Sequence, residues 1–545
     1  MRRRSKLVTL AAVVIALATL GLTSGGSAAA PAASKPTRQE IAKRLLNSRR
    51  SQFMTPAALA AVTMIANGSK DLSPTGRSRE EEELRPATKA ATSAAPLAAA
   101  ALPNVRVNDP ARDRQFIEQT TQSETTLAVN GANVAVGYND SQHSLLVLTA
   151  GTNLSGYSYS TNGGLTFTDG GVLPNAPGYQ NFGDPWMASN RAGRFFYATL
   201  AGTPDFNLGV SVARSSNGGR TWGNPKEVSP SAGTLLYLGD KDAMTTGRDP
   251  LVATRDNTYV AWDDVSCDLT FTCFDGLPVA RSTNDGLTWQ VTYADRFQED
   301  PSSCTFQQYI GAQPLVDSSN GLLYVAAERI RVDDPTCSGG TLEIAQYVFK
   351  SADGGQTFGP GVKIADVTPA TPFGFLPLGA GKAMRTIEFP VLARIGGTLY
   401  AAWNDGEQGL SHIRLASSTD RGATWSLAWA TSGGKNELQP ALSTSGGALH
   451  LAYYSIAANN LIDVLLQDRA GSTVTTRRVT TTSFPGVPNL PQFDPVIGDA
   501  YMGDYIAIVS AAGHEYMAWG DNRDKVSNAL WSTARNDPDV FFAKR

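Results

Sequence analysis

One eight-residue pattern occurs five times and limits what this 545-residue chain can fold into. It reads STNGGLTF from Ser160, SSNGGRTW from Ser215, STNDGLTW from Ser282, SADGGQTF from Ser351 and STDRGATW from Ser418. The common form is Ser, any residue, Asn or Asp, any residue, Gly, any residue, Thr, then Trp or Phe. An Asn or Asp side chain can bond its own backbone a few residues on, and glycine reaches positive φ without strain. The closing aromatic can plug a neighbouring sheet. Each copy follows an alternating strand-like run (GYSYS, GVSVAR, LPVAR, AQYVFK, IRLAS), so each joins two strands of a hairpin. Recurrence at about 55–70 residues is the signature of a repeat architecture.

The segments between these turns share a grammar. DPWMAS then GRFFYATLA precede the second turn, DPLVAT then NTYVAWDD the third, QPLVDS then GLLYVAAER the fourth, and FPVLAR then GTLYAAWND the fifth. Each unit therefore holds four strands: an inner strand, a second, a third, the turn, and an outer strand. Two further units follow without a clean turn, from QPALST and from GDYIAIVS, and the last lacks its fourth strand. The stretch PNVRVN, residues 103–108, belongs to no other unit and is expected to supply it by pairing with DVFFAKR, which removes open sheet edges. The expectation is an all-β propeller of seven four-stranded blades, with six as the alternative, closed by the N- and C-terminal strands in one blade.

The five turns resemble the Asp-box, or BNR repeat, of the sialidase superfamily and related β-propellers. In that family the box is a structural staple. Trp222, Trp289 and Trp425 are accordingly expected to be buried, without a ligand role.

The chain opens MRRRSK, runs apolar from Leu7 to Leu22 and continues TSGGSAAAPAAS, the form of a secretory signal peptide over residues 1–30. Residues 31–102 include TRQEIAKRLLNSRR, REEEELR and an Ala-rich run, and read as a propeptide or flexible tether with two short helices. Residues 103–545 carry the repeats. The expectation is a secreted monomer with no membrane span after cleavage, cell-envelope association being the alternative. Formal net charge is −3 with scattered lysine and arginine, which gives no nucleic-acid footprint. Four cysteines in an exported chain favour two disulfides, expected as Cys267–Cys273 and Cys304–Cys337. No cofactor is implied; a structural Ca2+ is left open and no metal ligand is assigned.

A polar residue opens the inner strand of each unit: Glu124, Asp184, Asp249, Gln313, Glu388, Gln439 and Asp504. Such a ring either surrounds a ligand or hydrogen-bonds neighbouring inner strands. The family resemblance implies the first. Arg248, Arg385 and Arg523 would then clamp a substrate carboxylate. Asp184 would protonate the leaving oxygen, and Glu388 with Tyr505 would form the nucleophile pair. Glu124, Asp249 and Asp504 would line the site. The Arg-Ile-Pro motif of sialidases is absent near the first unit. Two functions follow as expectations: a secreted sialidase-like glycoside hydrolase, or a non-catalytic propeller binding glycan or protein. Converging arginines would favour the first and their absence the second.

Overall fold

Three antiparallel hairpins in succession recur along the chain in a computed structural model, which describes residues 37–47, 62–63, 65–68, 102–112, 121–141, 153–205, 207–270, 272–300, 303–371, 374–379, 382–407, 409–487, 502–526 and 534–545. The expected signal peptide lies outside these residues, as does most of the Ala-rich stretch. The first four-stranded meander runs Gln122–Asn130, Asn133–Asp140, Ser155–Ser160 and Thr168–Val172. The second is built on Trp186–Ser189, Phe195–Gly202, Leu208–Ser215 and Lys226–Glu227. The third comprises Leu236–Arg248, Asp256–Cys267, Cys273–Ser282 and Gln290–Gln298, and a parallel contact between Leu208 and Leu238 joins it to the second. The fourth starts at Phe306–Val316, the fifth at Val391–Ile395 and the sixth at Asn436–Ser445.

The last meander orders Ala507–Ala511, His514–Val526 and Arg535–Lys544, and its outer strand is Val105–Arg106 from the other end of the sequence. Val105 pairs with Phe542 and Arg106 with Phe541. This is the pairing expected from PNVRVN. First strands of successive meanders touch in chain order, and Ala507–Ala511 touches Gln122–Asn130.

The five repeated turns behave alike. In the second, Ser215 Oγ donates to Asn217 Oδ1 at 2.9 Å, and the N–H groups of Gly219 and Thr221 donate to Ser215 Oγ and Asn217 Oδ1 at 3.1 Å each. Gly218 and Gly219 hold φ of 74° and 81°, which is where a Cβ would be strained. Trp222 is buried edge-on between Tyr157 and Tyr197, at ring-centroid distances of 6.1 and 5.7 Å. Trp289 and Trp425 are only half-buried.

The N-terminal stretch departs from a simple tether. Helix Arg38–Asn47 buries Ile41, Ala42 and Leu45, which join Val62, Ile65 and Ala66 in one apolar cluster with Leu208, Val210, Val228 and Leu236. Arg38 donates to the carbonyl of Asp205 at 2.8 Å and to Asn207 Oδ1 at 2.9 Å. Part of the segment read as linker is thus packed on the second and third meanders. Its alternation of apolar and charged residues at helical spacing is what makes that face. The disulfides are Cys267–Cys273 and Cys304–Cys337, as expected. Among the described residues no helix is long and apolar enough to cross a membrane.

Candidate functional site

The first strands begin together, and a lysine sits where they meet. Lys241 is almost fully buried. Its Nζ lies 2.9 Å from Glu124 Oε1, 3.1 Å from Asp184 Oδ2 and 2.9 Å from Asp504 Oδ2, carboxylates from the first, second and last meanders. The Glu124 contact is an aligned hydrogen bond; those to Asp184 and Asp504 are ion pairs by distance. The rings of Tyr505 and Phe389 lie 5.5 and 5.9 Å from the ammonium. Arg385 adds a second cation, with Nε 2.7 Å from Asp504 Oδ1. Burial works against the charge on Lys241, but Asp184, Asp504 and Glu124 outweigh it and hold the ammonium protonated well above its usual range.

Backbone geometry explains the convergence. Glu124, Asp184, Lys241 and Gln439 occupy equivalent places and all have positive φ, at 53°, 50°, 43° and 53°. Ladder register slips beside three of them, between Ser123 and Thr126, Asp240 and Ala243, and Leu438 and Ala441. Such bulges re-aim a side chain out of the strand alternation. Asparagines on second strands fix the result: Asn139 accepts from the Asp184 N–H at 2.8 Å and donates to Glu124 at 2.9 Å, and Asn404 accepts from the Gln439 N–H at 3.3 Å.

Glu124, Asp184, Asp504, Arg385 and Tyr505 are therefore brought together. Tyr505 donates its hydroxyl to the Pro185 carbonyl at 2.9 Å, and burial first, then Glu124 and Asp184, push its pKa well up. Glu388 lies in a neighbouring acidic group. Burial raises it well above the ordinary carboxylate range, with Glu328 and Asp405 adding to the effect, and Glu328 is itself pushed up to about 8 by burial. The Ala370 N–H reaches Glu388 Oε1 at 3.4 Å.

Two of the three expected arginines do not join the central cluster. Arg248 and Asp249 are at the far end of Leu236–Arg248, beside the turn to the second strand. There Arg248 donates to the Ser319 carbonyl at 3.1 Å, and Asp249 pairs with Arg255 in its own turn. The equivalent opening position of that meander belongs to Lys241. In the fourth it is Gly311, with φ of 67°, while Gln313 accepts from the Leu392 N–H at 3.3 Å. Arg523 is folded back on Asp521, donates to Asn104 Oδ1 at 3.0 Å and stacks 4.4 Å from the Phe541 ring. Among these arginines only Arg385 reaches the central cluster.

Lys241 was missed because DPLVAT mimics DPWMAS. A better signal was the Gly-Asp pair shared by NFGDPW, YLGDKD and YMGDYI, which marks the start of three inner strands. Lys241 lines a cavity of about 30 Å³ together with Trp186, Asp242, Phe389, Gln439 and Tyr505 among others. Asp242 is buried with neither carboxylate oxygen hydrogen-bonded to a side chain, and burial raises its pKa well above the ordinary range. Among the described residues no group of three or more His, Cys, Asp or Glu has metal-binding geometry.

No protein-family model matches the chain, and no curated protein matches it. Solved structures do. A Dyadobacter fermentans protein of unknown function is 13% identical, with a TM-score of 0.41, over 81% of this chain and 97% of that one. The Hadza microbial sialidase Hz136 is 12% identical, with a TM-score of 0.38, over 68% of this chain and 66% of that one. A Trypanosoma rangeli sialidase in complex with sialic acid is 10% identical, with a TM-score of 0.37, over 81% of this chain and 56% of that one.

Proposed function

We propose that the chain is an exported seven-bladed Asp-box propeller that binds a ligand outside the cell and does not hydrolyse glycosides. The observation that carries this reading is the saturated lysine. Lys241 fills the point where the inner strands meet, and its charge is taken up by Glu124, Asp184 and Asp504. The cavity beside it, about 30 Å³, compares with ~300–1,000 Å³ for small-molecule sites. Blade count and closure are supported by the pairing of Val105–Arg106 with Phe541 and Phe542 and by the cyclic order of inner-strand contacts. Export is supported by the two disulfides and the signal-like N-terminus.

One observation favours the hydrolase reading: burial pushes Glu328 up to about 8 and Glu388 well above the ordinary carboxylate range, the direction a general acid needs. An acid alone does not make the reaction, which also needs a group that stabilises the cationic transition state within reach of a bound sugar. Assaying the purified mature chain on fluorogenic sialosides and a glycoside panel, alongside a glycan-binding array, separates the two. Retained binding without turnover is the expected result. Turnover that Glu388→Gln abolishes, in a folded protein, would overturn it.

A further inference from the structure

The binding reading leaves open where a ligand sits, and a cleft much roomier than the cavity beside Lys241 lies elsewhere. A cleft of about 460 Å³ lies between the second and third meanders at their opposite end, where the repeated turns are. Its walls come from three turns: Asn190 and Arg191, Arg255 and Asp256, and Asn284 with Asp285 of the third repeated turn. That volume falls within the ~300–1,000 Å³ of small-ligand sites.

The walls are held before any ligand arrives. Arg191 donates from its backbone N–H and its Nε to the two oxygens of Asp256, at 2.9 and 2.7 Å. Arg255 grips Asp249 from Nε at 2.9 Å. Both acids are largely buried, while the Arg191 side chain is 61% exposed and that of Arg255 39%. Asn190 donates to Asp285 Oδ1 at 2.8 Å, tying the second meander to the third across the cleft.

Asp285 stands where three of the five turns carry glycine: Gly163, Gly218 and Gly354, at φ of 72–75°, while the fifth turn has Arg421 at 61°. Asp285 adopts 57°, a conformation that non-glycine residues rarely take and that tends to persist at functional positions. Here the non-glycine residue is an acid, and it puts a carboxylate into the cleft.

We propose that this cleft is a saccharide subsite for a neutral sugar, an inference that rests on the binding reading above. Two guanidiniums and two carboxylates among the lining residues cancel, so neither an anion nor a cation is favoured. Guanidinium and amide groups donate, while carboxylate and threonine hydroxyl oxygens accept. A neutral polyol offers both partners at every hydroxyl. No aromatic or aliphatic side chain larger than alanine lines the cleft, which disfavours a peptide anchored by apolar side chains.

The decisive variant is Asp285→Gly, which restores the turn's usual residue. Binding of the full chain to maltotriose, cellotriose, mannotriose, triacetylchitotriose and 3′-sialyllactose is measured by ligand-observed NMR, with Tm recorded for each variant. At least one neutral trisaccharide should bind, and Asp285→Gly and Arg191→Ala should each weaken it ~10-fold or more with Tm within a few degrees of the parent. Binding unchanged in both variants, or confined to the sialoside, would overturn the subsite and leave the binding reading standing. No binding to any of the five would overturn the subsite, and the binding reading falls with it when the glycan-binding array is blank as well.

Discussion

Replacing Lys241 with Met tests the central cluster directly. Met keeps most of the apolar stem and removes the ammonium, leaving Glu124, Asp184 and Asp504 buried with Arg385 as the remaining cation. Breaking a buried ion pair by removing one partner costs about 3–5 kcal/mol, because the charge left behind is uncompensated. Unfolding entropy is about 2.1 cal/mol/K per residue, or roughly 0.9 kcal/mol/K for the stretch Leu102–Arg545, so a loss of ~4 kcal/mol lowers Tm by about 4–5 °C. The pH dependence is more diagnostic than the drop. In the parent, the Lys241 pKa is raised on folding, so its contribution is complete below the unfolded lysine value and constant between about pH 5 and 8. In the variant, Asp184 and Asp504, already raised by burial, lose their counter-charge and rise further. A carboxyl with a raised folded pKa contributes stability at low pH and loses it as pH climbs through that pKa. The deficit of Lys241→Met should therefore shrink as pH falls from about 8 to 5, read by thermal melts at matched ionic strength. A deficit that is absent at pH 8, or that does not narrow on acidification, would refute the account of Lys241 as the charge balance of the inner strands.

Three further outcomes are expected. Leu45→Ala should destabilise by about 2–4 kcal/mol, since Leu45 is buried in the cluster shared with Leu208 and Leu236; an unchanged melt would mean the helix is not part of that core. Trp222→Ala should cost about 3–5 kcal/mol by emptying the space between Tyr157 and Tyr197, without altering ligand affinity in the folded fraction. Burial alone would raise Asp468, but bonds from Arg545 and His450 hold its carboxyl below the ordinary range. Its contribution is present above the usual carboxylate pKa of ~3.9 and fades as pH falls through the folded value, so Arg545→Ala should be less stable near neutrality and approach the parent in acid, by denaturant titration.

Strand order was readable because alternation and turn chemistry are local, and the same turn recurs five times in register with them. The pairing of Val105–Arg106 with the C-terminal strand was readable too, since an orphan strand and an incomplete unit have one economical solution. Site residues were harder. Strand alternation fails where a bulge turns one residue inward, so nothing in the period of LGDKDAMTT marks Lys241 as the side chain that faces Glu124 and Asp504. Asp249 of DPLVAT resembles Asp184 of DPWMAS in sequence, yet the two sit at opposite ends of their strands. Arg523 has the right polarity, but Asp521 two residues earlier captures it. The helix Arg38–Asn47 shows the converse: its amphipathic spacing was visible, but the apolar surface that receives it is formed by strands some 160 residues away and more.

The joining of the two ends gives synthesis a direction. A chain leaving the ribosome exposes Val105–Arg106 early, but that strand has no partner until Phe541 and Phe542 have been made. A premature stop short of those residues cuts into or removes the third strand of the last meander and leaves Val105–Arg106 without a seat. Arg545, just beyond Arg535–Lys544, then fastens that strand by ion pairs to Asp468 and Glu515 on two different meanders. A product that stops before Phe541 is thus marked as incomplete by an unpaired edge.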